Sequence, residues 1–102
     1  MTNYENIREA IAKKLMQAEA TFDKYSDAVD LTSKKVDDLE QRYINGENVD
    51  EILDKAYDEH NATFDKYDSA QIILKHYKKA QKLYEDVMYL IEEANYIEAN
   101  YL

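Results

Sequence analysis

This chain has a single glycine, Gly46, and no proline among its 102 residues. Strand-rich folds need a turn roughly every 8–12 residues, and Gly and Pro are the strongest turn formers. One glycine and no proline leave room for very few sharp turns, which argues against all-β and α/β layouts. Helix remains, and a chain with 34% charged residues, rich in Ala, Glu, Lys, Leu and Asp, suits long amphipathic helices.

The first half carries an apolar seam through Ile7, Ile11, Leu15, Ala18, Phe22, Tyr25, Val29, Thr32, Val36, Leu39 and Tyr43. Its steps of four and three are a heptad pattern, which predicts one continuous helix. Asn6 with Glu9 fits a capping box at its start, and Thr2 with Glu5 is a competing start one turn earlier. Asn45-Gly46 supplies the left-handed residue that ends a helix near Ile44.

Asn48 with Glu51 starts a second helix in the same way. Its seam is read as Leu53, Ala56, Thr63, Tyr67, Ala70, Ile73, Tyr77, Ala80, Tyr84, Val87, Ile91 and Ala94. The sequence therefore predicts an all-α antiparallel hairpin of two long helices, about 6–44 and 49–100, forming a single domain. At 1.5 Å per residue the rod is about 60–75 Å long. Breaks near Asp30–Ser33 and His60–Thr63, where Thr and Ser lower helix propensity, would instead give a compact bundle of three or four helices.

The hexapeptide ATFDKY occurs twice, at Ala20–Tyr25 and Ala62–Tyr67. Asn3, Glu5, Asn6, Glu9 and Lys13 recur, in the same order, as Asn45, Glu47, Asn48, Glu51 and Lys55, and Ile7 and Ile11 return as Val49 and Leu53. Similarity over 3–28 and 45–70 reads as a tandem repeat of one structural unit. The offset is a whole number of heptads, so both copies are expected to lie in one helical phase. Thr21, Phe22 and Tyr25, with Thr63, Phe64 and Tyr67, are then packing residues, and two copies of one docking surface are the alternative.

The second helix holds more apolar surface than one seam can hide. In Tyr84–Leu102, Tyr84, Val87, Met88, Tyr89, Leu90, Ile91, Tyr96, Ile97, Tyr101 and Leu102 go most of the way round it, and the echo EANYI-EANYL puts Tyr96 and Tyr101 on different faces. A helix apolar on several sides is normally covered on several sides, and aromatic residues are common at interface hot spots. Tyr77, Tyr84, Met88, Tyr89, Ile91, Tyr96 and Tyr101 are the candidate interface, and the expected assembly is two hairpins pairing into a four-helix bundle. Charge is also segregated. Ala70–Tyr84 carries Lys75, Lys78, Lys79 and Lys82 with no acid, whereas Glu85–Leu102 has five acids and no base. The four lysines either pair with acids of the first helix, such as Glu19, or form a docking patch for an acidic partner.

The net charge of −9 argues against direct binding to nucleic acid or an anionic membrane, which needs a cationic face. Without cysteine there is no disulfide, thiolate zinc site or cysteine nucleophile, and the chain suits a reducing cytoplasm. No secretory signal opens it, so the Asn61-Ala62-Thr63 sequon carries no weight. A di-metal bundle site needs Glu-x-x-His, but Tyr57 and Ile73 precede His60 and His76 by three. No nucleophile–base pattern is present either. The sequence thus predicts no enzyme, metal or cofactor.

In outline, with a mid-chain turn at Ile44-Asn45-Gly46, the chain resembles the small secreted helical hairpins named for a Trp-x-Gly turn, although the Trp itself is absent. That resemblance implies a partner of a toxin or effector. The residues themselves favour an adaptor or scaffold that binds itself and another protein. An acidic inhibitor imitating nucleic-acid phosphates is the alternative, motivated by the acid-rich Glu47–Asp68 stretch.

Overall fold

A computed structural model describes residues 3–101, which form two antiparallel helices, α1 (Asn3–Ile44) and α2 (Asp50–Tyr101). The rod measures 83 × 22 × 13 Å. Both helices are continuous: α1 has 42 residues and α2 has 52.

Neither Asp30–Ser33 nor His60–Thr63 breaks its helix, and the reason is a contact between the two stretches. Thr32 Oγ1 lies 2.7 Å from His60 Nδ1, and the Thr32 hydroxyl also donates to the Val29 carbonyl at 3.1 Å. Residues that weaken each helix alone satisfy one another across the pair. Among the described residues no buried side-chain nitrogen or oxygen lacks a partner.

The turn follows from local chemistry. Gly46 has φ +90°, the left-handed region where side chains are strained. The Glu47 amide donates to the Arg42 carbonyl and the Gly46 amide to the Tyr43 carbonyl, each at 3.0 Å. This is a Schellman motif, which satisfies carbonyls that the helix end leaves free. An ion pair between Arg42 and Glu47, at 3.1 Å, spans the two residues where a hydrophobic contact often sits.

The helix starts differ from the expected caps. Asn6 lies inside α1, and Thr2, the competing start, falls outside the described residues. Glu5 stands in the first turn of α1, where a carboxylate favours the positive end of the helix dipole. At α2 the Val49 carbonyl takes the Leu53 amide at 2.8 Å, so the boundary residue is Val49 and not Asn48. Val49 is buried beside Val36, Leu39, Leu53 and Ala56, and burying its side chain at the turn outweighs the capping preference of the neighbouring asparagine.

The α1 seam is as expected from Ile11 to Leu39, but Ile7 and Tyr43 at its ends are exposed. In α2 the seam differs. It runs through Val49, Leu53, Ala56, His60, Thr63, Tyr67, Ala70 and Leu74, then Tyr77, Gln81, Tyr84, Met88 and Ile91, all buried or half-buried. Leu74 and Met88 replace the expected Ile73 and Val87, which are exposed; Ala80 is half-buried as expected, beside Gln81, and Ala94 lies on the surface.

The repeat does not keep one phase either. Phe22 and Tyr25 are both half-buried, but Phe64 is exposed and Thr63 takes its seam position. Tyr57, the counterpart of Leu15, is likewise exposed, and Ala56 enters the seam. Of the six seam positions from Val49 to Tyr67, Ala56 and Thr63 are displaced by one residue from their counterparts in the first copy, and the other four are kept. Small residues at Ala56 and Ala70 let α1 approach there, since side-chain size sets interhelical distance. Phe22 therefore meets Tyr67, with ring centroids 5.2 Å apart, in an antiparallel register that also sets Tyr84 against Tyr4.

Candidate interaction surface on α2

The hydroxyl of Tyr84 donates to the Tyr4 carbonyl at 2.8 Å, close to the start of α1. From there α2 continues to Tyr101, about 25 Å further, and after Glu92, the last α2 residue to border a groove with α1, it projects past the two-helix zone. Of the seven aromatic and aliphatic residues expected at an interface, Tyr77, Tyr84, Met88 and Ile91 are half-buried on the seam that faces α1. They serve the hairpin itself. Tyr89, Tyr96 and Tyr101 are exposed.

A second apolar stripe runs beside the seam. Ile73, Leu83, Val87, Leu90, Ile97 and Tyr101 are all exposed, and Leu90 shows 61% of its surface. With His76, Ala80 and Ala94 between them the steps are three and four throughout. From Ile73 to Leu90 each stripe position precedes a seam position by one residue, which sets the stripe about 100° round the helix. A helix with two apolar stripes at that angle is shaped to contact two neighbours, and α1 covers only one of them. By contrast α1 has a single seam; outside it Tyr4, Met16, Leu31 and Ile44 are exposed but too far apart in sequence to form a stripe.

Between the helices, on the stripe side, lies a groove of about 320 Å³ bordered by Thr21 and Tyr25 of α1 and by Ser69, Ala70 and Ile73 of α2. A second groove of about 310 Å³, on the opposite side, runs between Arg8 and Ile11 of α1 and Tyr84, Met88 and Glu92 of α2.

The lysines do not pair with α1. Among the described residues Lys82 alone of the four has a carboxylate within reach, Asp86 at 3.8 Å on its own helix. The expected partner Glu19 makes no such pair, because Lys75, Lys78, Lys79 and Lys82 occupy a third face of α2, away from the seam. Elsewhere Lys35 pairs with Glu59 at 3.1 Å. Tyr57 donates to Glu40 Oε1 at 3.0 Å. That hydrogen bond, with burial and the charges of Glu40 and Asp54, raises the Tyr57 hydroxyl above its usual pKa.

Among the described residues no three His, Cys, Asp or Glu side chains gather to hold a metal ion, and no helix there is long and apolar enough to cross a membrane. His60 is taken up by Thr32 and by its neighbour Phe64, at a ring separation of 6.3 Å. The stripe could not be read from the sequence as a separate feature, because stripe and seam residues alternate in one nearly continuous apolar run. No family model matches the chain, and neither a curated protein nor a solved structure does.

Proposed function

We propose that this protein is a non-enzymatic interaction module, an acidic homo-oligomeric hairpin that acts as adaptor or scaffold by presenting the second stripe of α2 to other helices. The observation that carries this reading is the stripe itself: nine successive heptad positions from Ile73 to Tyr101, the larger of them exposed. Contiguous apolar surface of this extent is costly to leave in water and commonly marks a protein–protein contact. The chain's lack of cysteine supports a reducing, cytoplasmic setting for the same role. The acidic-inhibitor reading rests on charge alone, and part of that charge is tied up by Lys35 and Arg42.

The test is chemical crosslinking in the native cell, with the intact chain compared to Leu83→Glu/Leu90→Glu. Crosslinks from Ile73–Tyr101 to a protein partner, itself or another, are expected for the intact chain and lost in the variant. Crosslinks unchanged by the two glutamates would overturn the reading.

A further inference from the structure

We infer that the occupant of the second stripe is a second copy of this chain, laid antiparallel along α2 about a two-fold axis passing near Val87. The inference rests on the interaction reading above and adds a partner, an orientation and a register.

Charge sets the orientation. Within one helix Ala70–Tyr84 carries four lysines and no acid, and Glu85–Leu102 carries five acids and no base. A parallel pair would set lysines against lysines and acids against acids. An antiparallel pair sets each basic block against the partner's acidic block, and like-charge juxtaposition is what excludes wrong arrangements. Lys79 and Glu93 flank the stripe on the same side, so each Lys79 then faces a Glu93 across the pair. Asp86 comes near its own copy at the axis, where its contact with Lys82 at 3.8 Å offsets the repulsion.

The stripe sets the register. In the hairpin itself Phe22 meets Tyr67, which holds the equivalent heptad position. The same rule on the stripe puts Val87 against Val87, Ala80 against Ala94 and Ile73 against Tyr101, which uses its whole length. Tyr101, exposed at 77%, then arrives at the groove of about 320 Å³ beside Ile73, where Tyr25 and Ala70 offer apolar contact and Asp65 and Lys66 border it with charge.

The overhang makes room for the arrangement. α1 starts opposite Tyr84, and its equivalent in the second copy starts equally far on the other side of Val87. The two α1 helices therefore run away from the axis in opposite directions. The dimer is a staggered rod joined through α2 alone, and α1 keeps its single seam. This differs from the four-helix bundle expected from composition, which would need a second stripe on α1.

The natural absence of cysteine gives a direct test. Purified Val87→Cys is oxidised alone; Leu83→Cys and Leu90→Cys are oxidised separately and as a mixture. A disulfide needs Cα atoms within about 7 Å, so Val87→Cys should link to itself, while Leu83→Cys and Leu90→Cys should link only to each other. Helicity by circular dichroism checks that each variant folds, and sedimentation of the intact chain should show a dimer. Self-linking of Leu83→Cys would overturn the antiparallel orientation. A monomeric intact chain with unlinked Val87→Cys would overturn the second copy as occupant, while the in-cell crosslinks still decide whether the stripe is an interface. A dimer that survives Leu83→Glu/Leu90→Glu would overturn both.

Discussion

Thr32 and His60 meet across the two helices at 2.7 Å, in the middle of an otherwise largely apolar seam. Thr32 is buried, and its hydroxyl is already committed to the Val29 carbonyl, so the histidine ring nitrogen acts as donor to it. A polar pair at a seam position fixes register, because any slip leaves both groups without partners.

Thr32→Val removes the acceptor and should destabilise the hairpin by about 1–2 kcal/mol. Replacing both residues, as Thr32→Val/His60→Leu, should recover most of that loss or exceed it, since two apolar groups leave nothing unpaired. Urea unfolding of the single and double variants measures this. A double variant as weak as the single one would show that the pair does not act as a unit.

Gly46→Ala should cost about 1–2 kcal/mol, because a side chain at φ +90° crowds its own backbone. No other atom lies within 4 Å of where the new Cβ would stand, so the effect is conformational and not a clash. Gly46→Asn should therefore lose less than Gly46→Ala, asparagine being tolerant of this region. Thermal or urea denaturation compares the two, and an equal loss would contradict the turn geometry.

Leu39 and Leu31 offer a contrast within one helix. Leu39 is 4% exposed in the turn-end cluster, and Leu31 is 68% exposed. Leu39→Ala should lose about 2–5 kcal/mol, and Leu31→Ala no more than about 0.5 kcal/mol. Comparable losses at both sites would mean that the seam is placed wrongly.

The bond from Tyr57 to Glu40 makes a pH prediction. Its hydroxyl titrates above the usual 10.0, first because it donates to the Glu40 carboxylate. A group raised on folding contributes stability that is complete below its unfolded pKa and is lost as pH rises through the folded one. The intact hairpin should therefore lose stability above pH 10 more steeply than Tyr57→Phe, as read from urea midpoints across the alkaline range. Parallel curves would show that the hydrogen bond does not persist in solution.

How far the sequence revealed the structure depended on how many faces each helix uses. In α1 one stripe is apolar, so the seam from Ile11 to Leu39 could be read residue by residue. The turn was legible as well, because Asn45-Gly46 has few other uses. In α2 two stripes lie one residue apart, and apolarity cannot rank Ile73 against Leu74 or Val87 against Met88. Contact with α1 decides between them, and that is a property of the pair. The same holds for the repeat: identical letters at Phe22 and Phe64 meet different neighbours, so one packs and the other is exposed. The stretches around Thr32 and His60 looked weak singly because their compensation comes from the opposite helix.

Association through α2 is the central claim, and sedimentation equilibrium of the intact chain beside Leu83→Glu/Leu90→Glu tests it most directly. The intact chain should sediment as a dimer and the variant as a monomer of equal helicity, with the dissociation constant raised at least about 100-fold, equivalent to roughly 2.7 kcal/mol. A monomeric intact chain, or a variant that dimerises as well as the original, would contradict it.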